Sequence, residues 1–363
     1  MRGMNLGRAD ADADPGQDST EHPDPDGHVN DRVLGLALRC LEAGPVLILL
    51  LLIAAMWFFN PLFLSEPNIR NVLFQSSVVA ILAIGSLIVI LTGGIDLSIG
   101  AIMSLATVVG AIVYRQVQDG FVVVAVMLAV GIAFGLVNGL LYVKGGIPHP
   151  FIVTLATLSF AQSLGLFLTG SQMITGVPDI INTLGNGNLG PLPMRAIVVV
   201  VAGTAAWWFT RATRWGRWIY ATGGNAEAAR RMSIAVPAVL ISVYVASGLA
   251  AGVAGVLTAG AIGGGSALLG QGVGGLFDAI AAVVIGGASI FGGRGSIWNA
   301  IVGALMIGVI RNGLALLNMS PYVEGMLVGT TILVAVLLDV FRARLETRMR
   351  AIQALRADLA DLP

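Results

Sequence analysis

Runs of about 17 to 25 apolar residues recur along this chain, and no other feature narrows its possible folds so far. A helix needs about that length to cross a hydrocarbon core about 30 Å thick, and in lipid its backbone N–H and C=O groups must be satisfied internally. About ten such runs are present, at roughly 44–60, 69–91, 95–113, 121–143, 150–169, 195–210, 237–259, 274–290, 296–316 and 322–341. The sixth and eighth are short. Thr92-Gly93-Gly94 reads either as a loop or as a hinge inside the membrane. The expected fold class is an all-α integral membrane protein of about ten transmembrane helices, with both termini on one side. Composition agrees, since 11% of residues are charged against about 25% in a soluble domain.

Residues 1–32 are rich in Asp, Pro, Gly and His, bury almost nothing, and read as a disordered tail. They do not form a secretory signal, because no apolar core follows a basic start. The membrane-spanning region then runs over 33–341, and 342–363 forms a polar C-terminal tail. A formal net charge of zero argues against a nucleic-acid partner. The single cysteine, Cys40, has no internal disulfide partner, and the three histidines offer no metal-ligand cluster.

Charge then selects the orientation. Of 20 Lys and Arg, only Arg70, Arg115, Arg195 and Arg311 fall outside or near the outer face if the N-terminus is inside, so the positive-inside rule places both termini in the cytoplasm. The same rule puts the polar, arginine-rich 211–236 loop inside, where its composition fits docking of a soluble partner. The longest outer segment, Gly170 to Met194, is rich in Gly, Asn and Pro, and reads either as a partner-facing surface or lid, or as a plain connector.

Within the spans, Gly131, Gly135 and Gly139, and again Gly248 and Gly252, recur at helical spacing, which predicts close backbone packing. Polar groups in the membrane point to function more directly, because an ionised side chain there is expensive unless it is paired or wet. Asp96 and Ser98 lie in Leu91-Thr-Gly-Gly-Ile-Asp-Leu-Ser-Ile-Gly100, and Asp278 follows Gly274-Gly275. Each aspartate reads either as a helix N-cap or as a group in a broken transporter helix. Asn71, Gln75, Asn138, Gln162 and Asn312 could line a path for a polar solute or bond between helices. If Asp96 or Asp278 bound a proton or Na⁺, the chain would be an ion-coupled secondary transporter. The polar breaks argue against a non-transporting scaffold. The only lysine, Lys144, does not follow a glycine-rich phosphate loop, so ATP, if used, is bound by another polypeptide.

Four separated stretches carry a more specific signal. Leu91 to Gly100, Pro150-Phe-Ile-Val-Thr-Leu155, Gly224-Asn-Ala-Glu-Ala-Ala-Arg230, and Asp278-Ala-Ile-Ala-Ala-Val-Val-Ile-Gly-Gly287 with Phe291-Gly-Gly-Arg-Gly-Ser296 and Arg311-Asn-Gly313 resemble the ribose-type permeases of bacterial ATP-binding-cassette sugar importers. The likeness spans about 45–341. It implies a non-catalytic inner-membrane subunit that dimerises with a second copy and has inverted repeats. It further implies an ATPase partner of two fused cassettes, which holds the ATP and Mg, and an extracytoplasmic sugar-binding protein. It also makes Gly224, Asn225, Glu227, Arg230, Arg231 and Ser233 the coupling segment that docks on the ATPase. Asn225 can cap a short helix over Ala226 to Met232, and Glu227 can pair with Arg230 and Arg231. The family usually has glycine where this chain has Ser233, which bears on the turn geometry.

Overall fold

A computed structural model of the protein describes residues 31–269 and 275–320 and a subset of 322–340, with side chains from Gly44 onward. Of the expected 1–32 tail, residues 1–30 lie outside the described residues, as do 342–363 and the glycine at 274, whereas Asp31 and Arg32 already belong to a helix. Two units divide the chain, residues 1–43 and 44–363, and the account below is of the second.

Helix α1 (Asp31–Phe59) begins well before the first apolar run, and a 3-10 turn (Pro61–Leu64) capped by Asn60 links it to α2 (Glu66–Ile90). Then follow α3 (Ile99–Gln116), α4 (Gly120–Lys144), α5 (Pro150–Thr169), α6 (Asp179–Asn186), α7 (Met194–Ala212), α8 (Arg214–Gly224), α9 (Ala226–Arg231), α10 (Val236–Ile262), α11 (Leu276–Ile285) and α12 (Ile297–Leu316). Further helical residues lie between 322 and 340. Local chemistry sets many of the ends. Asp119 caps α4 by accepting from the Phe121 and Val122 N–H groups at 2.8 and 3.2 Å. Proline opens α2, α5 and α10, where a missing N–H does no harm, and left-handed Gly170 and Gly263 stop α5 and α10.

Six of the described helices (α2, α3, α4, α5, α10 and α12) are long and apolar enough to cross a membrane, and α7 with α8 makes a seventh if the bent pair counts as one span. The eighth apolar run does not form a full-length helix: α11 has 10 residues and rises only about 15 Å, half the hydrocarbon thickness. The glycines that follow it, Gly286 and Gly287, end the helix early. Packing sorts the spans. Of the most apolar stretch of α2, 78% is buried, against 22% for α4, so α2 is a central helix and α4 a peripheral one.

The glycine stripes pack as their spacing predicts. Gly131, Gly135 and Gly139 of α4 lie against the backbone of α10 at Gly248, Tyr244 and Ile241. A methyl on Gly252 would sit 3.0 Å from Leu128 Cα, tighter than ordinary van der Waals contact.

The 170–194 segment is more ordered than a plain connector. Its strand β1 (Ile174–Thr175) pairs antiparallel with β4 (Gly264–Gly265) beyond α10, and β2 (Asn188–Leu189) pairs with β3 (Leu192–Pro193). Arg195 fastens this segment to the bundle. Its guanidinium donates to the carbonyls of Gly185, Leu257 (3.1 Å) and Phe74 (3.4 Å), and stacks 3.5 Å over the Phe74 ring. Counting Arg195 as a topology marker does not show this role: it is 3% exposed and knits α2, α6 and α10 together.

Candidate functional site

The chain bends by 74° between α7 and α8. Thr213 makes the corner, its hydroxyl oxygen accepting from the Gly216 N–H at 3.1 Å to cap α8. Trp215 and Trp218 of α8 meet edge to face, with Arg214 over the Trp218 ring, a side-chain set suited to a helix lying at a membrane–water boundary. The polar composition of 211–236 points to a loop here, whereas 214–224 is helical, and two tryptophans at i,i+3 are the signal the sequence carries. Burial holds the Tyr220 phenol above its usual pKa, with Arg211 pulling the other way.

Gly224 ends α8 and Asn225 opens α9, its side-chain oxygen accepting from the Ala228 N–H at 2.9 Å. On α9, Glu227 lies 3.5 Å from both Arg230 and Arg231, all three largely exposed. Exposed pairs of this kind contribute at most about 1 kcal/mol to a fold, so these charges are not there chiefly to hold α9 together. Beside them Met232 is 78% exposed, an apolar side chain at the helix tip that sequence reading did not single out.

Ser233 resolves the turn. Its φ is 59°, the left-handed conformation glycine favours, and the Ser233 N–H donates to Arg230 O at 3.0 Å and the Ile234 N–H to Ala229 O at 3.1 Å. The glycine geometry is kept with a serine in it. Ser233→Gly is expected to leave assembly intact and to raise stability by up to about 1 kcal/mol, whereas Ser233→Val should lower it by about 1–2 kcal/mol. Thermal denaturation of the purified subunit measures both, and equal stability of the glycine and valine variants would exclude the strained turn.

The break between α2 and α3 is no surface loop: Leu91, Asp96 and Ser98 are all buried. Asp96 Oδ1 accepts from the Ser98 N–H (2.9 Å) and the Ser98 hydroxyl (2.6 Å), and Oδ2 accepts from the Ser247 hydroxyl on α10 (2.7 Å). Asn138 of α4 donates to Ser98 Oγ at 2.8 Å, and Thr157 of α5 donates to Asn138 Oδ1 at 2.6 Å. The capping expectation thus holds only in part, because Asp96 precedes the cap residue Ser98 and joins four helices. Donor protons converge on this carboxylate, whereas a cation site needs converging oxygen lone pairs. Among the described residues no basic side chain forms an ion pair with it. Gln162 is buried on α5 with no hydrogen bond to this node.

Asp278 is not a helix cap either. Gly275 holds that place, and Asp278, 1% exposed in the first turn of α11, pairs at 2.5 Å with Arg311 of α12. A cavity of about 270 Å³ lies between α2 and α12, lined by Gln75, Val79, Ile307, Gly308, Arg311 and Ala315. That is just below the about 300–1,000 Å³ of ligand pockets. Asn71 lies exposed one turn from Gln75 on α2, and Asn312 is buried next to Arg311 with its Oδ1 lacking a hydrogen-bond partner among the described residues. The structure therefore gathers Gln75, Asp278 and Arg311 near one cavity and places Asp96, Ser98 and Asn138 in a separate node. Among the described residues no group of three or more His, Cys, Asp or Glu is placed to hold a metal ion.

Comparison with known proteins agrees with this architecture. Residues 68–336 match the family described as branched-chain amino acid transport system / permease component. The chain is 38% identical to the ribose import permease protein RbsC of Escherichia coli (strain K12) over 303 residues, covering 82% of this chain and 94% of that protein. It is 35% identical to the D-allose transport system permease protein AlsC of the same organism, with coverage of 82% and 90%. It is 36% identical to the fructose import permease protein FrcC of Rhizobium meliloti, with coverage of 82% and 84%. No solved structure matches the chain. Likeness of this extent, on a multi-pass helical bundle with a capped, charge-bearing helix between spans, shows that the chain belongs to the permease components of ATP-binding-cassette importers, in the ribose-type branch.

Proposed function

We propose that this chain forms the membrane path for a small neutral sugar, handed over by an extracytoplasmic binding protein and moved by ATP hydrolysis on a separate ATPase of two fused cassettes. The observation that carries the reading is α9, whose charged side chains are exposed and contribute little to the fold itself. The sugar class follows from the ribose, allose and fructose named for the relatives, despite the amino-acid wording of the broader family.

In the proposed arrangement the bundle makes about ten passes, with α1, the half-length α11 and the helical residues between 322 and 340 completing the set, and both termini are cytoplasmic. Helix α10 supports opposite sides for the two specialised regions: it starts just beyond α9, runs 27 residues or about 40 Å, and ends at the 263–265 segment clasped by β1. A second copy of the chain would cover the exposed Asn71 and Gln75 face of α2, since amides facing lipid are costly. The cavity beside them would belong to the path, and the two halves would be inverted repeats. ATP and Mg stay on the partner, whose closure drives the bundle only because nucleotide binds its two conformations with different affinity.

Proteoliposomes holding the complete importer with labelled ribose test this reading. Uptake should require ATP and binding protein and ignore ionophores. Asp96→Asn should keep at least about half of the uptake, because the amide oxygen still accepts from Ser98 and the Ser247 hydroxyl can turn to accept from the amide. Ionophore-sensitive uptake without the ATPase, abolished by Asp96→Asn, would establish an ion-coupled secondary transporter instead.

A further inference from the structure

Three glycine-rich segments remote in sequence meet at one point: Leu91-Thr-Gly-Gly94 at the end of α2, Gly223-Gly224 at the end of α8, and Phe291-Gly-Gly-Arg-Gly295 ahead of α12. The Gly293 N–H donates to the Leu91 carbonyl at 2.9 Å, and the Tyr220 hydroxyl on α8 donates to the Gly295 carbonyl at 2.9 Å. No side chain fits between the three backbones. A methyl on Gly223 would strike the Leu91 carbonyl oxygen and lie 2.6 Å from the Gly293 nitrogen, and one on Gly292 would lie 2.8 Å from the Gly93 nitrogen and 3.0 Å from the Gly223 oxygen. Gly93, Gly292 and Gly293 also have φ of 77°, 90° and 74°, which other residues rarely adopt.

The junction lies at the root of α9, separated from it only by Gly224 and Asn225. Two routes leave it. Five residues beyond Leu91 lies Asp96, which accepts from Ser247 of α10 and from Ser98, and through Ser98 and Asn138 the network continues to α4 and α5. Directly beyond Gly295, Ser296 opens α12, which carries Arg311 and one wall of the cavity. Backbones in direct contact leave no side chain to rotate and absorb a displacement, so a shift at α9 is passed on instead of dissipated.

We infer that Gly223 and Tyr220 are positioning residues that transmit movement of the docking helix into both the Asp96 node and α12. This rests on the docking reading of α9 but goes beyond it, because attachment and transmission are separable steps. Gly223→Ala should force the three segments apart, and Tyr220→Phe removes one hydrogen bond while keeping the ring.

Each variant is co-expressed with the ATPase and the binding protein, then scored for co-purification of the ATPase and for labelled ribose imported per ATP hydrolysed. With co-purification near the wild-type level, import per ATP should fall about tenfold or more in Gly223→Ala and about threefold in Tyr220→Phe, the scale of one lost hydrogen bond. Wild-type import per ATP in an assembled Gly223→Ala complex would overturn the inference. If that variant does not assemble, Tyr220→Phe decides alone: the threefold loss in an assembled complex supports transmission, and wild-type coupling overturns it. Failure of both to assemble would make the junction a folding element only and overturn the inference as well. An ATPase that does not co-purify even with the wild-type chain would instead refute the importer reading.

Discussion

Alanine at both Glu227 and Arg230 should leave the subunit folded and inserted but detach it from its ATPase. Alanine is the best helix former, Asn225 still caps α9, and the two exposed ion pairs contribute at most about 1 kcal/mol each. On a docking surface the same groups can make charge-assisted hydrogen bonds worth roughly 1.5–3 kcal/mol each, so losing two weakens attachment by about 10² to 10⁴. Affinity co-purification and binding-protein-stimulated ATP hydrolysis read the effect. Normal assembly and uptake in the double variant would reduce these residues to topology markers under the positive-inside rule.

Asp278→Ala is expected to be the most destabilising single change in the bundle. The Asp278 carboxylate lies 2.5 Å from Arg311 where both side chains are largely removed from solvent, and taking away one member of a buried pair costs about 3–5 kcal/mol. Against a total stability of about 5–15 kcal/mol, that is a large share. The same change combined with Arg311→Met should recover much of the loss, because apolar groups of similar size can replace a buried pair. Thermal melts of the detergent-solubilised subunit would show a strongly non-additive cycle. Recovered stability with absent ribose uptake would place the Arg311 charge in the path; a single variant as stable as the wild type would exclude an energetically coupled pair.

How much of this was legible in the sequence depends on the range of the interaction concerned. The α9 helix was fully legible, since the Asn225 cap and the Glu227 pairs act over three or four residues. The α4 and α10 stripes were legible for the same reason, because helical periodicity alone puts Gly131, Gly135 and Gly139 on one face. The half-length α11 was not, since hydropathy over 274–290 does not show where Gly286 and Gly287 end the helix. The binding of Arg195 was not legible either, because its three carbonyl partners lie on three different helices.

By itself, then, the sequence determined that the chain is a multi-pass helical membrane protein with a charged helix between spans, because lipid imposes length and polarity rules on each segment separately. Only the tertiary structure decided what the polar residues do within it. Asp96 meets Ser247, 151 residues later, and Asp278 meets Arg311 on the next helix, so neither aspartate is the simple cap its glycine-rich neighbourhood allowed. Burying a carboxylate is tolerable only where donors converge on it, and which donors converge is fixed by how whole helices pack, not by the residues beside it in the chain.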